Sequence, residues 1–156
     1  MSKYYLVDAR DKILGRLCTG VAKALLNGRR VLVVNSKDCV VSGKKGPVFK
    51  KYLDRQEIHT ATNPRRGPFW PHRPDGLLKR TVRGMLPKNE RGARALKRLR
   101  VFVSSIPEGM AHRFQPVEEM EVPDCDVSRL QFGYVTLDAI CTRIGWKHKV
   151  QEEGEA

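Results

Sequence analysis

Apolar positions along this chain fall into stretches with two different periods. Tyr4-Tyr5-Leu6-Val7 is a short run of aromatic and β-branched residues, which predicts a strand. Leu14, Leu17, Cys18, Val21, Ala22, Leu25 and Leu26 then recur at spacings of three and four, one apolar face of a helix. Asn27-Gly28 supplies a C-terminal stop, and Asp8 or Asp11 is available to cap the start. Val31-Leu32-Val33-Val34 is a continuous apolar run, as expected of a strand covered on both sides in a parallel sheet. Strand, helix and strand in this order make a βαβ unit.

The pattern continues less regularly. Cys39-Val40-Val41 predicts a third short strand closed by Ser42-Gly43, and Pro47 to Asp54 a brief helix anchored by Val48, Phe49 and Tyr52. Residues 59–76 hold four prolines and two glycines, which argues against regular helix or central strand and predicts a long loop. Helices are expected over Leu77–Leu86 and Lys88–Leu99, parted at Pro87, and a strand over Val101-Phe102-Val103. A loop through Pro107 and Gly109 leads to the acidic stretch Glu118-Glu119-Met120-Glu121. A last helix is expected over about Leu137 to Ile144, and fraying over about residues 150–156. The chain shows no internal repeat, and 156 residues suit a single domain, 1–156.

Charge changes this picture. The chain carries 30 Lys and Arg against 17 Asp and Glu, a net +13. All of that excess sits in residues 44–100, with 17 basic against 4 acidic side chains, while residues 101–156 are net acidic. A field concentrated in one segment predicts a docking surface for a polyanion. An anionic membrane fits poorly, because the helix around Leu96 has too little apolar area to lie in an interface. No apolar stretch approaches the length of a bilayer-crossing helix, and the N-terminus lacks a signal-peptide core. Cys18, Cys39, Cys125 and Cys141 have no zinc-site spacing and read as buried reduced thiols, which suits a reducing cytosol.

Candidate chemistry lies in the same segment. Arg65, Arg66, Arg73, Lys79, Arg80 and Arg83 can neutralise phosphates, as can Lys44 and Lys45 ahead of them. Lys88, Arg91, Arg94, Lys97 and Arg98 surround the narrow apolar face of the second helix. Phe69, Trp70 and His72 offer flat faces for stacking on splayed bases, although the two aromatics could instead pin the loop to the protein's own core. His59, His72, His112 and His148 have no metal-ligand spacing. The sequence contains no nucleophile elbow, zincin motif or Walker sequence, and the first strand–helix turn lacks the dinucleotide glycine fingerprint. We therefore expect no catalytic residue, no metal and no cofactor.

Several motifs in one order resemble a known family. Val7-Asp8-Ala9 with Ile13-Leu14-Gly15-Arg16-Leu17, then Val34-Asn35 and Ser42-Gly43-Lys44, are similar to the universal large-subunit ribosomal protein family thirteen. Arg73-Pro74-Asp75-Gly76 followed by Lys79-Arg80-Thr81-Val82-Arg83-Gly84-Met85-Leu86-Pro87 is the most specific segment. Phe69-Trp70-Pro71-His72-Arg73-Pro74 resembles the archaeal and eukaryotic branch, and the archaeal members best. The resemblance covers about residues 5–105 and extends weakly to Val135-Thr136-Leu137. It implies a three-layer α/β/α fold around a parallel sheet of about four strands, with a basic loop-helix extension. It also implies a non-enzymatic constituent of the large ribosomal subunit in the cytoplasm, bound to large-subunit ribosomal RNA beside neighbouring ribosomal proteins. By motif, Lys44, Arg73, Lys79, Arg80, Arg83 and the basic helix from Lys88 to Arg98 would face RNA. The competing readings are an RNA-processing enzyme, a free regulatory RNA-binding module and a DNA-compacting protein.

Overall fold

A computed structural model describes residues 3–147, so the tail at about 150–156 and His148 lie outside the described residues. The opening follows its pattern closely. Strand β1 (Tyr4–Asp8) leads to helix α1 (Leu14–Leu26) and strand β2 (Arg30–Val34). The apolar stripe of α1 is buried as the spacing requires, with Leu17, Cys18, Val21 and Leu25 wholly enclosed. Gly28, between α1 and β2, turns the chain at φ +88°, a backbone angle that glycine tolerates best.

Neither aspartate caps α1. Its N-cap is Ile13, without a side-chain cap bond. The Asp8 carboxylate instead accepts from the Arg10 N–H at 2.9 Å and from the Asn35 side-chain amide at 3.0 Å. Asp11 stands at φ 53° and exchanges main-chain bonds with Asp38 and Val127. The turn before α1 is therefore organised by distant backbone. Ile13 N–H donates to the Cys125 carbonyl, and the Val40 N–H donates to the Lys12 carbonyl.

Strand β3 (Val40–Ser42) forms but does not join the central sheet. It pairs antiparallel with β6 (Tyr134–Thr136) near the end of the chain. Helix α2 (Lys45–Glu57) is longer than expected at both ends and buries Val48 and Tyr52, one turn apart. The loop that follows contains a 3₁₀ turn at Pro64–Arg66 and stops early, because α3 (Pro74–Met85) begins inside the proline-rich segment. Pro74 occupies the first turn of α3, where its missing N–H has no intrahelical partner to lose. Helix α4 (Glu90–Lys97) precedes β4 (Leu99–Val101), which starts two residues before the expected strand. Residues 102–104 then turn around the 35–37 backbone, accepting from Asn35, Ser36 and Lys37.

The central sheet has four parallel strands in the order β4-β2-β1-β5, flanked by helices in the α/β/α manner. Its outer member β5 (Val117–Glu119) lies in what the sequence shows only as an acidic stretch, and pairs with β1 from Tyr4↔Val117 to Leu6↔Glu119. Val31 and Val33 face the main core beneath α1 and α3, so Leu32 points to the opposite side. Tyr4, on that second side by the same alternation, meets Phe114 edge-on at 5.4 Å, and Phe114 meets Phe102 at 5.8 Å. The short helix α5 (Glu108–Ala111) leads into this aromatic cover. Helix α6 (Leu137–Arg143) closes the fold, capped by the Thr136 hydroxyl accepting from Ala139 N–H.

Candidate nucleic-acid interface

The interface is built on α3 and α4. Leu77, Leu78 and Val82 of α3 are buried, and the same periodicity turns Lys79 and Arg83 outward. Pro87 follows the C-cap Leu86, and α4 is capped by Asn89, whose side chain accepts from Gly92 N–H at 3.0 Å. Gly92 decides how close the two helices come. A Cβ at that position would stand 1.8 Å from the Pro87 carbonyl oxygen, so the α4 backbone rests on the connecting turn. Between the helices runs a groove of about 820 Å³ with Leu86, Ala93 and Leu96 among its lining residues. Lys79, Arg80, Arg83, Lys88 and Lys97 also line it. Among the described residues, none of these five cations has a carboxylate within ion-pair distance. Mutual repulsion of that kind is relieved by counter-charge from outside.

A second groove of about 690 Å³ shares Arg80 and Gly84 with the first and is also lined by Arg16, Lys51, Arg55 and Trp70. The Arg80 guanidinium lies 3.7 Å from the Trp70 ring centroid, and that of Arg55 lies 4.8 Å away. Arg80 also donates to the Phe69 carbonyl at 2.8 Å. His72 Nδ1 donates to the Ile144 carbonyl at 3.2 Å, which ties the loop to the end of α6. The Trp70 ring thus holds the loop against the protein through two arginines. Its Nε1 is buried without a hydrogen-bond partner among the described residues. Phe69 is the opposite case, 69% exposed and free to stack on a base.

The remaining candidates divide. Lys44, Lys45, Arg65, Arg66 and Arg91 are exposed and line neither groove. Arg94 pairs with Glu90 at 3.1 Å, one turn back on α4. Arg73 stands 3.2 Å from Asp75, off the line needed for a hydrogen bond. Arg98 turns away from both grooves and donates to the Leu25 carbonyl at the end of α1. Arg16, Lys51 and Arg55 were not singled out from the sequence. The spacing of four between Lys51 and Arg55 was the available signal, since it places both on one side of α2.

The cysteines are buried and free, and burial pushes the thiols of Cys39 and Cys141 up to about 12 and that of Cys18 higher still. Thiols so far from ionisation are poor nucleophiles and poor metal ligands. Among the described residues, no group of three or more His, Cys, Asp or Glu side chains could hold a metal ion.

The family model described as Ribosomal protein L13 matches residues 2–108. This chain belongs to the ribosomal protein L13 family. Curated relatives named "Large ribosomal subunit protein uL13" agree over nearly the full length. The protein of Saccharolobus solfataricus is 37% identical over 142 residues, 90% of this chain and 92% of the relative. That of Methanococcoides burtonii is 40% identical over 144 residues, 91% and 98%. That of Aeropyrum pernix is 40% identical over 153 residues, 94% and 93%. These relatives are archaeal, in agreement with the branch that the Phe69–Pro74 motif resembles. The family match ends at residue 108, so it includes both helices of the basic groove and stops before the acidic strand β5.

Proposed function

We propose that this chain is a non-catalytic structural constituent of the large ribosomal subunit, in the cytoplasm, and that it grips folded ribosomal RNA through the α3–α4 groove. The observation that carries this reading is the set of five cations in that groove without an internal counter-charge. The sheet and α1 act as a rigid support, and the groove presents a fixed comb of positive charge to the phosphates of a folded RNA. Arg83, Lys88 and Lys97 displace condensed counterions, while Phe69 supplies a stacking face at the loop tip. Lys44, Lys45, Arg65, Arg66, Arg73, Arg91 and Arg94 extend the phosphate contacts around the groove, beside Trp70 and His72 in the loop. Recognition is then mainly of RNA shape rather than of base edges.

Salt titration of binding to a large-subunit ribosomal RNA fragment tests this reading. With roughly eight phosphates neutralised, the log–log slope of affinity against salt is expected at about −6 to −7. A slope near −1 would show that the groove is not a phosphate-binding surface. Sedimentation of a native lysate in high salt gives the cellular test. One copy per large subunit supports a structural role, and absence from ribosomal fractions refutes it.

A further inference from the structure

The central sheet ends on an open edge. In the order β4-β2-β1-β5, strand β5 is outermost, and among the described residues no strand pairs with its other side. We propose that this edge docks an extended, Lys- and Arg-bearing segment of a second protein, added to the sheet as a further strand. The proposal does not depend on what fills the α3–α4 groove.

Backbone supplies the first part of the site. Strand β5 runs parallel to β1, with Tyr4 N–H donating to the Pro116 carbonyl and Met120 N–H to the Leu6 carbonyl. Residues 116, 118 and 120 therefore turn their main chain towards β1. By the alternation of a parallel ladder, Val117 and Glu119 turn theirs outward. Every residue of β5 is exposed, so the fold itself leaves this edge uncovered. A row of outward N–H and C=O groups is a template for an added strand.

Charge supplies the second part. A cleft of about 710 Å³ opens beside the carboxyl ends of β1 and β5, with five carboxylates among its lining side chains against two cations, Arg10 and Lys12. Asp126 already holds Lys12. Asp8 accepts from the Asn35 amide, a neutral partner. Among the described residues, Glu119 and Glu121 have no cation within ion-pair distance. On a chain of net +13 this cleft is a local reversal of sign. It repels phosphate and attracts ammonium and guanidinium groups.

Topology places the cleft where the sheet changes direction. From β1 the chain passes to β2 and β4 on one side, then returns to lay β5 on the other. The crevice at the carboxyl ends of two such strands is where open α/β sheets bind their ligands. Asp8 ends β1 and Glu119 ends β5. An added strand lies about 4.8 Å from β5. Its main chain meets Val117 and Glu119, and its cationic side chains meet Glu119, Glu121 and the mouth of the cleft.

The test uses the full chain and a short fluorescent peptide alternating Val and Lys. Wild type is expected to bind it, with amide hydrogen exchange slowed at Val117 and Glu119. Glu119→Lys with Glu121→Lys should weaken binding by about tenfold or more with the circular dichroism spectrum unchanged. Glu119→Gln with Glu121→Gln removes the charge with little change of shape and should lose an intermediate amount. The same peptide, N-methylated on the amides that face β5, should bind about tenfold more weakly, as expected for two lost main-chain bonds. Equal binding of the methylated peptide overturns strand addition, and equal binding by the double lysine variant overturns the acidic contact. A wild type that ignores the peptide overturns the proposal as a whole. So does protection of Val117 and Glu119 that grows with protein concentration alone, which assigns the edge to a second copy, or protection by an RNA duplex in place of the peptide, which assigns it to nucleic acid.

Discussion

The groove between α3 and α4 and the segment from β5 to Arg129 treat charge in opposite ways. Along β5 and the strap after it, acids answer bases, two of them from the far end of the chain. Glu118 holds Lys3, Asp126 holds Lys12, and Asp124 holds Arg129, while its carbonyl accepts from Arg16 at 3.2 Å. In the groove, Lys79, Arg80, Arg83, Lys88 and Lys97 have no such answer among the described residues. Net charge alone does not make this distinction. Cations paired within the fold contribute little field to a partner, and unpaired ones contribute most of it. The contrast teaches that a partner surface is marked by the charges that the fold leaves uncompensated.

The largest effect should come from the groove. Replacing Arg83, Lys88 and Lys97 together by Glu should weaken binding to a large-subunit ribosomal RNA fragment by more than about 100-fold, with the circular dichroism spectrum unchanged. A loss below about threefold, read by filter binding at fixed salt, would abolish the distinction between the two regions.

Each region also rests on one glycine, and the two should respond unequally. A Cβ at Gly92 would meet the Pro87 backbone at 1.8 Å, whereas one at Gly20 would meet the Val122 side chain of the strap at 2.3 Å. Backbone cannot step aside as a side chain can. Gly92→Ala should therefore lower stability by about 2–4 kcal/mol and Gly20→Ala by about 1 kcal/mol in urea titrations. Equal losses would mean that the strap is as rigidly placed as the α3–α4 turn.

Arg80 sharpens the comparison inside the groove. It stacks on Trp70 and bonds the Phe69 carbonyl, so Arg80→Ala should cost about 1 kcal/mol and alter Trp70 fluorescence. Arg83→Ala should leave stability within about 0.5 kcal/mol while weakening RNA binding to a similar degree. Matching fluorescence changes in both variants would mean that Arg83 bears on Trp70 as Arg80 does.

The smallest effect tests the strap. Glu118→Gln with Asp126→Asn releases Lys3 and Lys12, and stability should hardly change in urea titrations because these are surface pairs. RNA affinity should rise a few-fold, and the salt slope should steepen by about one to two. An unchanged slope would show that pairing was not what kept these lysines from RNA.

Legibility followed the range of the interactions. The α1 stripe, β1 and β2 could be read because their burial obeys periods of a few residues. The prolines and glycines of residues 59–73 keep that stretch irregular, as their chemistry requires, whereas Pro74 sits in the first turn of α3, where proline is tolerated. Strand β5 could not be read, since Val117-Glu118-Glu119 has no strand pattern of its own and forms because β1 offers it an edge. The assumed aspartate cap failed for the same reason, because backbone from residues 34–40 and 125–127 organises that turn. In the candidate site, the cations of α3 and α4 were legible from composition. Arg16, Lys51 and Arg55 were not, since the groove that unites them exists only when α1, α2 and Trp70 are packed together.

By itself the sequence determined that positive charge is concentrated in residues 44–100, that an amphipathic helix sits between two strands, and that Arg, Lys and aromatic residues share one loop-helix segment. The tertiary structure decided which of those charges stay available. Lys3 and Glu118 are 115 positions apart, and Lys12 and Asp126 are 114 apart. A helix face is set by side chains within a turn or two of one another, so it can be read locally. Charge compensation across more than a hundred residues depends on topology, which here lays β5 along β1 and draws the acidic strap over α1, leaving the groove between α3 and α4 uncovered.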